Sequence, residues 1–290
     1  MIPGYVPLRL AEGGPERRAI EAGQIDAVID YASSNVILLP AARRALREAA
    51  NRASAASREA AHEASIANRL LAALPHADYQ RLLAGLEPLK LKLGEVLYEP
   101  GVPIRYVYFP VDCVISLRTA VEGHPPLEVG LVGHEGMVGI SLALGSDVSS
   151  VQALVQATGT AMRMEAACFH KAFQQSPPLQ NEVYRYACAK LALARQTVAC
   201  NCFHAVEARL ARWLLMTSDR VLSKKFFLTQ ASLGDMLGVR RATVNEAAGA
   251  LQQRKLIRYS RGNIRILDRK GLEAASCRCY TRIEGLIPSA

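Results

Sequence analysis

The sequence lacks the long apolar run that a membrane-spanning helix needs. No stretch of the 290 residues approaches about 18 uninterrupted apolar positions. The first residues, MIPGYVPLRLAEGG, also lack the charged start and apolar core of a secretory signal. The cysteines number seven, which is odd, so we expect free thiols in a reducing cytoplasm and no membrane partner.

Groupings that would indicate an enzyme are also missing. We find no Ser/His/Asp arrangement, no phosphate-binding loop and no dinucleotide fingerprint. Within residues 89–165, which are predicted below to form a β-barrel or jelly roll, the metal-ligand candidates are His124, Glu128, His134 and Glu135. They do not include the paired His-x-His of metal-dependent barrels, and lone histidines such as His170 and His204 do not indicate haem. We therefore expect neither an enzyme nor a cofactor.

Two closely spaced cysteine pairs, Cys200-x-Cys202 and Cys277-x-Cys279, raise the question of a metal or redox site. Zinc ligands are usually separated by two to four residues, and one intervening residue is unfavourable for two ligands on one helix. Free structural thiols are the preferred interpretation, and no metal is expected. A redox role stays open because neighbouring thiols can oxidise.

Positive charge is concentrated in the last third of the chain. Residues 200–290 hold 16 Lys and Arg against 7 Asp and Glu, whereas residues 1–199 hold 19 of each. The entire net charge of +9 therefore lies in one segment. This distribution favours a polyanionic partner such as nucleic acid, although a merely soluble basic domain has the same composition.

Segments of different composition precede the basic third. An Ala/Arg/Glu-rich stretch without Gly or Pro runs from Ala41 to Leu74, which predicts one long helix or two joined helices. Residues 89–165 contain short runs rich in Val, Ile, Leu and Tyr, separated by Gly and Pro. Regularly spaced runs of this kind predict a β-barrel or jelly roll.

A long helix is predicted after the barrel-like segment. Ser176-Pro177-Pro178 places prolines where helices begin, and residues 179–199 contain neither Gly nor Pro. Apolar or neutral positions recur there at steps of three, four and seven, with Lys190 interrupting them: Leu179, Val183, Tyr186, Leu193 and Thr197. Such a stripe fits packing against the barrel and packing against a second copy equally well. Another helix is predicted from about His204 to Ser218.

The stretch FLTQASLGDMLGVRRATVNEAAGALQQRKLI predicts two short helices with a sharp turn between them. Thr229 is a good N-cap for a helix from Gln230 to Leu237, and Gly238 tolerates a left-handed turn. Gly234 is small enough for the helices to cross closely. The shared apolar core consists of Leu233, Leu237, Val239, Val244 and Leu251. This spacing is typical of a helix-turn-helix.

The second of these helices begins with Arg240 and Arg241. Positive charge there opposes the helix dipole at a cost of about 0.3–1 kcal/mol, so a purely structural helix would prefer Ser or Asp. Arginine pairs bidentately with phosphate or guanine, which fits a helix end directed at DNA. Thr243 and Asn245 add groups for phosphate or base, and Glu246 can accept from a cytosine amine or pair with an arginine.

A basic β-hairpin is predicted directly after the second helix. LIRYSRGNIRILD alternates apolar and basic residues around the turn Arg261-Gly262-Asn263. Arg258, Arg261 and Arg265 would make this hairpin a wing that touches the DNA backbone, or else a solvated edge.

Over roughly residues 75–272 the sequence resembles the Crp/Fnr family of regulators, most strongly in LTQASLGDMLGVRRATVNEAAGALQQRKLIRYSRGNIRILD. The stretch GEVLYEPGVPIRYVYFPVDCVIS looks like the first strands of that family's β-roll, with Gly94, Glu95 and Gly101 at the usual places. The resemblance implies an α+β fold. Its expected parts are a helical extension over 1–74, a cyclic-nucleotide-binding-like jelly roll over 75–175, a dimerisation helix over 176–202, a winged helix-turn-helix over 203–272 and a tail over 273–290.

The resemblance also implies the positions that would contact DNA. It places recognition positions on Arg240, Arg241, Ala242, Asn245 and Glu246. The predicted DNA-binding set is completed by Thr229, Gln230, Thr243 and Arg261. Because Arg240 stands where the family often has Ser, no particular operator sequence is implied.

The family's nucleotide binders neutralise the ligand phosphate with an arginine in a short loop-helix cassette. Gly133, Glu135 and Gly136 keep part of that loop here, but no Lys or Arg occurs between Arg118 and Arg163. Near the expected arginine the chain reads Ser149-Ser150-Val151. We therefore expect no binding of cyclic AMP and leave the effector open. The family's iron–sulfur members carry cysteines N-terminal to the roll, and here the first cysteine is Cys113.

Two functional hypotheses follow. The first is a cytoplasmic, homodimeric, sequence-specific transcription regulator whose partners are double-stranded DNA, a second copy of itself and, as a further candidate, RNA polymerase. The alternative is a sensor or adaptor protein whose roll and N-terminal helix bind a protein partner.

Overall fold

The computed structural model describes residues 27–30, 35–38, 67–221 and 223–284. The chain divides into two compact units, Met1–Ala60 and Ala61–Ala290. In the first unit, strands β1 (Ala27–Asp30) and β2 (Asn35–Leu38) pair as an antiparallel hairpin. The prediction of a helical extension did not anticipate this hairpin, whose strands AVID and NVIL contain the β-branched residues that favour strands. Most of the helix predicted from Ala41 to Leu74, like the end of the predicted tail, lies outside the described residues.

The second unit begins with the roll. Its elements are α1 (Arg69–Ala72), α2 (His76–Leu83), β3 (Glu87–Leu91), β4 (Val96–Tyr98), β5 (Tyr106–Pro110), β6 (Val114–Val121), β7 (His124–Val132), a 3-10 helix (Ile140–Leu144), β8 (Gln152–Ala157) and β9 (Gly159–Glu165). The strands form two antiparallel sheets, ordered β3–β9–β5 and β4–β8–β6–β7. Apolar side chains from both sheets, among them Val107, Phe109, Ile115 and Met162, are fully buried in the core. The predicted jelly roll is thus confirmed.

Helices α3 (Ala166–Gln175) and α4 (Pro177–Phe203) follow the roll. The Ser176 hydroxyl caps α4 by accepting from the Leu179 N–H at 3.2 Å, and prolines occupy its first positions, as predicted. At 27 residues α4 is about 40 Å long. No helix in the described part of the chain is both long enough and apolar enough to cross a membrane.

Two faces of α4 carry apolar side chains. The predicted stripe is the inner face: Leu179, Val183 and Tyr186 pack into the roll core, and Leu193 packs with the C-terminal domain. A second stripe, Tyr184, Leu191 and Val198, recurs every seven residues and is exposed by 46%, 52% and 64%. The inner stripe is therefore covered within the chain, whereas the second stripe is exposed.

The C-terminal domain comprises α5 (Val206–Val221), β10 (Lys225–Phe227), α6 (Gln230–Leu237), α7 (Arg241–Gln253), β11 (Ile257–Ser260), β12 (Asn263–Ile266), α8 (Arg269–Ala275) and α9 (Cys279–Glu284). Its three-stranded antiparallel sheet has the order β10–β12–β11. Leu210, Leu214, Leu233, Val244 and Leu251 form the centre of its core. The predicted helix-turn-helix and hairpin are both present, and β10 adds a third strand to the wing.

Candidate DNA-binding site

The turn between α6 and α7 has the geometry that the sequence predicts. The Thr229 hydroxyl accepts from the Ser232 N–H at 3.1 Å and so caps α6. Gly238 ends α6 in the left-handed region, with φ of 64°. A Cβ on Gly234 would lie 2.9 Å from the carbonyl oxygen of Val239, so only glycine allows this close approach. Local turn chemistry therefore sets the angle at which α7 leaves α6.

The N-terminal end of α7 presents two exposed arginines. Arg240 is the N-cap residue and makes no side-chain cap hydrogen bond, and Arg241 is the first helical residue. Among the described residues, neither guanidinium forms an ion pair with a carboxylate. Both charges oppose the helix dipole, at a cost of about 0.3–1 kcal/mol each. This helix end is therefore suited to an anion supplied from outside the protein.

A chain of polar side chains links the two helices beside these arginines. The Arg241 Nε donates to Gln230 Oε1 at 3.3 Å, and Gln230 Nε2 donates to Asn245 Oδ1 at 2.9 Å. The bonds hold three predicted contact residues together before any DNA arrives, which lowers the ordering cost of binding. The remaining predicted positions on this helix are Ala242 and Glu246, which are exposed, and Thr243, which is half-buried.

The wing carries a row of like charges. Arg258 lies directly opposite Arg265 across β11 and β12, and Lys225 lies opposite Arg265 on the other side. All three side chains are exposed, and opposed residues share one face of the sheet. Directly opposed like charges destabilise a sheet, so the row favours an anionic partner. Lys225 was not among the residues predicted to contact DNA.

The wing adjoins the start and the end of α7. Its turn uses Arg261 and Gly262, both with positive φ, which is the geometry of a tight hairpin turn. The Tyr259 N–H donates to Gln252 Oε1 at 2.6 Å, tying β11 to the last turn of α7. Burial raises the pKa of Tyr259, and the nearby charge of Arg241 opposes this rise. The wing therefore packs against α7 through the face of its sheet that carries Tyr259, and the basic row lies on the opposite face.

Helix α5 connects this domain to the roll through buried polar contacts. Glu128 on β7 accepts from Trp213 Nε1 and from Ser116 Oγ, both at 2.7 Å. Burial raises the pKa of Glu128 from its usual 4.5 to about 7, although these hydrogen bonds act to lower it. Near neutral pH this carboxyl is therefore divided between its neutral and ionised forms.

The loop with Gly133, Glu135 and Gly136, which the sequence predicts to be part of an effector cassette, takes part in the same connection. Arg220 Nε donates to Glu135 Oε1 at 2.9 Å, and each side chain is 4% exposed. Burial acts to raise the pKa of Glu135, but the charges of Arg220 and Lys190 outweigh it and lower the pKa. A Cβ on Gly133 would meet Arg220, and one on Gly136 would meet the Tyr186 ring. Side chains of α4 and α5 thus fill the space beside these loop residues.

The helix-turn-helix itself also lies against the roll. A Cβ on Gly238 would come 3.2 Å from Leu127 Cδ1 on β7. Gln156 Nε2 on β8 lies 3.5 Å from the Met236 sulfur on α6. A change in the roll can therefore reach the DNA-binding helices by two routes, directly through these contacts and indirectly through α5.

Comparison with known proteins agrees with this architecture. Residues 208–275 match the family model described as a Crp-like helix-turn-helix domain. FixK2 from Bradyrhizobium japonicum is similar in structure, with 15% sequence identity, a TM-score of 0.57, and coverage of 66% of this chain and 98% of that one. A Crp/Fnr regulator from Eubacterium rectale has 16% identity, a TM-score of 0.56 and coverage of 70% and 94%.

A third similar structure is a Crp/Fnr-family transcriptional regulator from Thermus thermophilus. It has 23% identity and a TM-score of 0.55, and the match covers 66% of this chain and 98% of that one. No protein with a curated description matches the chain. The resemblance predicted from the sequence is thus confirmed, by a domain match in the C-terminal third and by the fold over the roll and the long helix.

The charge row on the wing gives a first prediction. We expect Arg265→Gln to raise the free energy of unfolding of the DNA-free protein by about 0.2–1 kcal/mol, because it removes two opposed like-charge pairs. The same change is expected to reduce the magnitude of the negative slope of log affinity for DNA against log salt concentration by about 1. Urea unfolding and binding titrations at several salt concentrations measure the two effects. Lys171→Gln, at an exposed cation on α3, serves as the control and leaves the slope unchanged. A lower free energy of unfolding for Arg265→Gln, together with an unchanged salt slope, would contradict the assignment of this charge row to DNA binding.

The buried carboxyl gives a second prediction. Glu128 binds its proton more tightly when folded, so its contribution to stability falls as pH rises from about 4.5 to 7 and then levels off. We expect the melting temperature of Glu128→Gln to fall less than that of the wild type between about pH 5 and pH 8. Calorimetric melts at matched ionic strength test this. The exposed Glu122→Gln keeps the wild-type profile, whereas parallel profiles for wild type and Glu128→Gln would rule out the raised pKa.

Proposed function

We propose that this chain is a transcription regulator of the Crp/Fnr type that binds a pseudo-palindromic DNA site as a homodimer. The observation that carries the proposal is the start of α7. In a Crp-like helix-turn-helix domain, Arg240 and Arg241 are exposed there without a carboxylate partner in the described chain. Such an arrangement costs stability in the free protein and is compensated when phosphate or a base edge binds.

We assign the predicted DNA contacts according to what each side chain can reach. Arg240, Arg241, Asn245 and Glu246 are exposed along one end of α7 and are proposed to read base edges in the major groove. Thr229, Gln230, Ala242 and Thr243 border that end of the helix and are proposed to fix its position. Arg261, at the tip of the wing, is proposed to contact the backbone together with the charge row.

The homodimer is supported by the outer face of α4. Tyr184, Leu191 and Val198 recur at the heptad interval, and the residues three positions after the first two are Ala187 and Ala194. A heptad stripe with small residues between the large ones suits close packing against the same stripe of a second copy. An exposed apolar stripe along a helix of this length is costly in water, and a twofold interface covers both copies at once.

The roll is proposed as the input of the regulator, without cyclic AMP as its ligand. Ser149, where the family's arginine is expected, is buried and exchanges hydrogen bonds with Val151, and Glu135 is paired with Arg220. Neither offers a positive charge to a phosphate. Calorimetric titration with cyclic AMP is expected to show no saturable heat. Gly133, Glu135 and Gly136 stay the predicted effector region, and RNA polymerase stays a predicted partner in the cytoplasm.

The alternative of a sensor or adaptor protein is not favoured, because the match to a Crp-like helix-turn-helix domain makes DNA the expected partner. Deleting residues 1–60, the first compact unit, and measuring DNA affinity and oligomeric state tests whether that unit is needed for either.

The recognition helix gives a third prediction. Once genome-wide footprinting has identified the bound sites, we expect Arg241→Ala to weaken binding to that operator at least several-fold while the protein stays folded and dimeric. The reason is the loss of a bidentate contact together with the Arg241–Gln230 bond. Gel-shift titration gives the affinity, and circular dichroism checks the fold. Arg81→Ala, at an exposed arginine on α2, is the matched control. Equal affinities for wild type and Arg241→Ala would exclude α7 as the recognition helix.

The outer stripe of α4 gives a fourth prediction. We expect Leu191→Glu to shift the protein from dimer to monomer, because it places a charge at the centre of the proposed seam. Analytical ultracentrifugation over a concentration series measures the shift. Leu144→Glu is the control, since Leu144 on the 3-10 helix is exposed to a similar degree, 59% against 52%. A dimer that survives Leu191→Glu with unchanged affinity would place the interface elsewhere.

A further inference from the structure

Three cysteines and a histidine, remote in sequence, meet where α4 ends and α9 begins. Cys200, His204, Cys277 and Cys279 each direct one potential metal-binding atom to a common point, and these atoms all lie within 4.8 Å of one another. Cys200 Sγ is 3.9 Å from Cys277 Sγ, and Cys279 Sγ is 4.0 Å from His204 Nδ1. The three cysteines are buried and His204 is half-buried.

The backbone explains how residues with unfavourable spacing converge. At the end of α4 the partner of Cys200 is not Cys202, which is exposed, but His204, the C-cap residue four positions on, whose N–H donates to the Cys200 carbonyl at 3.1 Å. Cys277 and Cys279 do not share a helix, because Cys277 lies in the turn before α9 and Cys279 is its first residue. The objection that one intervening residue is too short for two ligands on one helix therefore does not apply.

The dimensions of the cluster match a tetrahedral metal site. With zinc–sulfur bonds of about 2.3 Å and zinc–nitrogen bonds of about 2.0 Å, neighbouring ligand atoms in a tetrahedron are about 3.5–3.8 Å apart. The 3.9 Å between Cys200 and Cys277 exceeds the sulfur–sulfur value by about 0.1 Å, and the 4.0 Å between Cys279 and His204 exceeds the sulfur–nitrogen value by about 0.5 Å. Since all four atoms lie within 4.8 Å of one another, small side-chain adjustments bring them to tetrahedral distances. A disulfide needs about 2.05 Å between sulfurs, so the 3.9 Å between Cys200 and Cys277 is much closer to shared coordination.

Metal-bound thiolates are stabilised by hydrogen-bond donors and by a nearby positive charge, and the surroundings of the sulfurs supply both. Gln196 Nε2 donates to Cys279 Sγ at 3.1 Å, and Arg212 donates to Cys200 Sγ at 3.5 Å. Arg212 is 6% exposed and its Nε has no hydrogen-bond partner. Within the described chain its guanidinium forms no ion pair with a carboxylate, so this buried charge lacks a counter-ion. Three thiolates, one neutral imidazole and a divalent cation carry a net charge of minus one, which Arg212 would balance.

We propose that Cys200, His204, Cys277 and Cys279 bind a structural zinc ion in a closed Cys3His site. Zinc fits this donor set because it accepts thiolate and imidazole together in tetrahedral geometry, and four protein ligands leave no position for a substrate. The ion joins α9 to the last turn of α4. It lies next to the junction between α4 and α5, where the long helix ends and the DNA-binding domain begins. The proposal does not depend on which DNA the protein binds.

The test measures metal content on the full chain, purified without a metal-affinity tag from zinc-supplemented cells. Elemental analysis by mass spectrometry is expected to find one zinc per chain in the wild type and in Cys202→Ser, the exposed matched control. Cys200→Ser and Cys279→Ser are expected to hold at least tenfold less zinc. Chelation under denaturant-free conditions is expected to lower the melting temperature of the wild type and to leave that of folded Cys279→Ser unchanged.

Cobalt exchange keeps the test decisive if the variants fail to fold. In the intact chain, cobalt(II) in this site is expected to give thiolate-to-metal charge-transfer bands and the intense visible absorption of tetrahedral coordination. A folded wild-type chain that contains no zinc and gives no such spectrum would overturn the proposal. So would zinc retained at one per chain in the Cys200→Ser/Cys277→Ser double variant, or a Cys200–Cys277 disulfide as the main species in freshly purified protein.

Discussion

Helix α5 carries three buried arginines, Arg209, Arg212 and Arg220, and each needs a partner for its charge inside the protein. Arg209 donates to the carbonyl of Leu237 at the end of α6, where the helix leaves its last carbonyls free. Arg212 donates to the sulfur of Cys200, and Arg220 pairs with Glu135 on the roll. The three partners belong to the helix-turn-helix, the cysteine cluster and the roll, so one helix ties these parts together.

This arrangement limits how the parts can move relative to one another. Separating α5 from the roll would leave Glu135 or Arg220 buried without its partner, and breaking such a pair by removing one member typically costs about 3–5 kcal/mol. In any arrangement in which α5 has moved away from the roll, water must therefore reach both Glu135 and Arg220. A ligand or partner that shifts the domain has to provide that energy through a difference in its affinity for the two states. Glu128, with a pKa near neutrality, lies in the same contact and makes it sensitive to pH.

Cations of the C-terminal domain are placed in two opposite ways. In α5 each arginine is buried and hydrogen-bonded, whereas on the wing and at the start of α7 the cations are exposed and placed against one another or against the helix dipole. The first arrangement stabilises the folded chain. The second lowers its stability and increases its affinity for a polyanion, which is the pattern expected when a surface is selected for binding rather than for folding.

Local features of the sequence determined the parts that depend on short-range chemistry. The N-cap at Thr229, the turn at Gly238, the hairpin at Arg261-Gly262, the proline start of α4 and the concentration of positive charge could all be predicted, because each depends on residues within a few positions of one another. The helix-turn-helix followed from the same signals, and so did the exposed arginines that we propose to contact DNA. The pairing of β1 with β2 did not, because these apolar stretches have no decisive period.

The tertiary structure decided everything that depends on contacts between distant segments. Periodicity showed an apolar stripe on α4 but not whether the roll or a second copy covers it, because both need the same spacing. Glu128 and Glu135 appeared in the sequence as metal-ligand candidates, and Glu135 also as part of an effector loop. Their partners Trp213 and Arg220 lie 85 residues away, so no local pattern indicated these contacts. The cysteines were dismissed as metal ligands on spacing along one helix. Folding brings Cys200 within 3.9 Å of Cys277 across 77 residues, a separation over which no local pattern carries information.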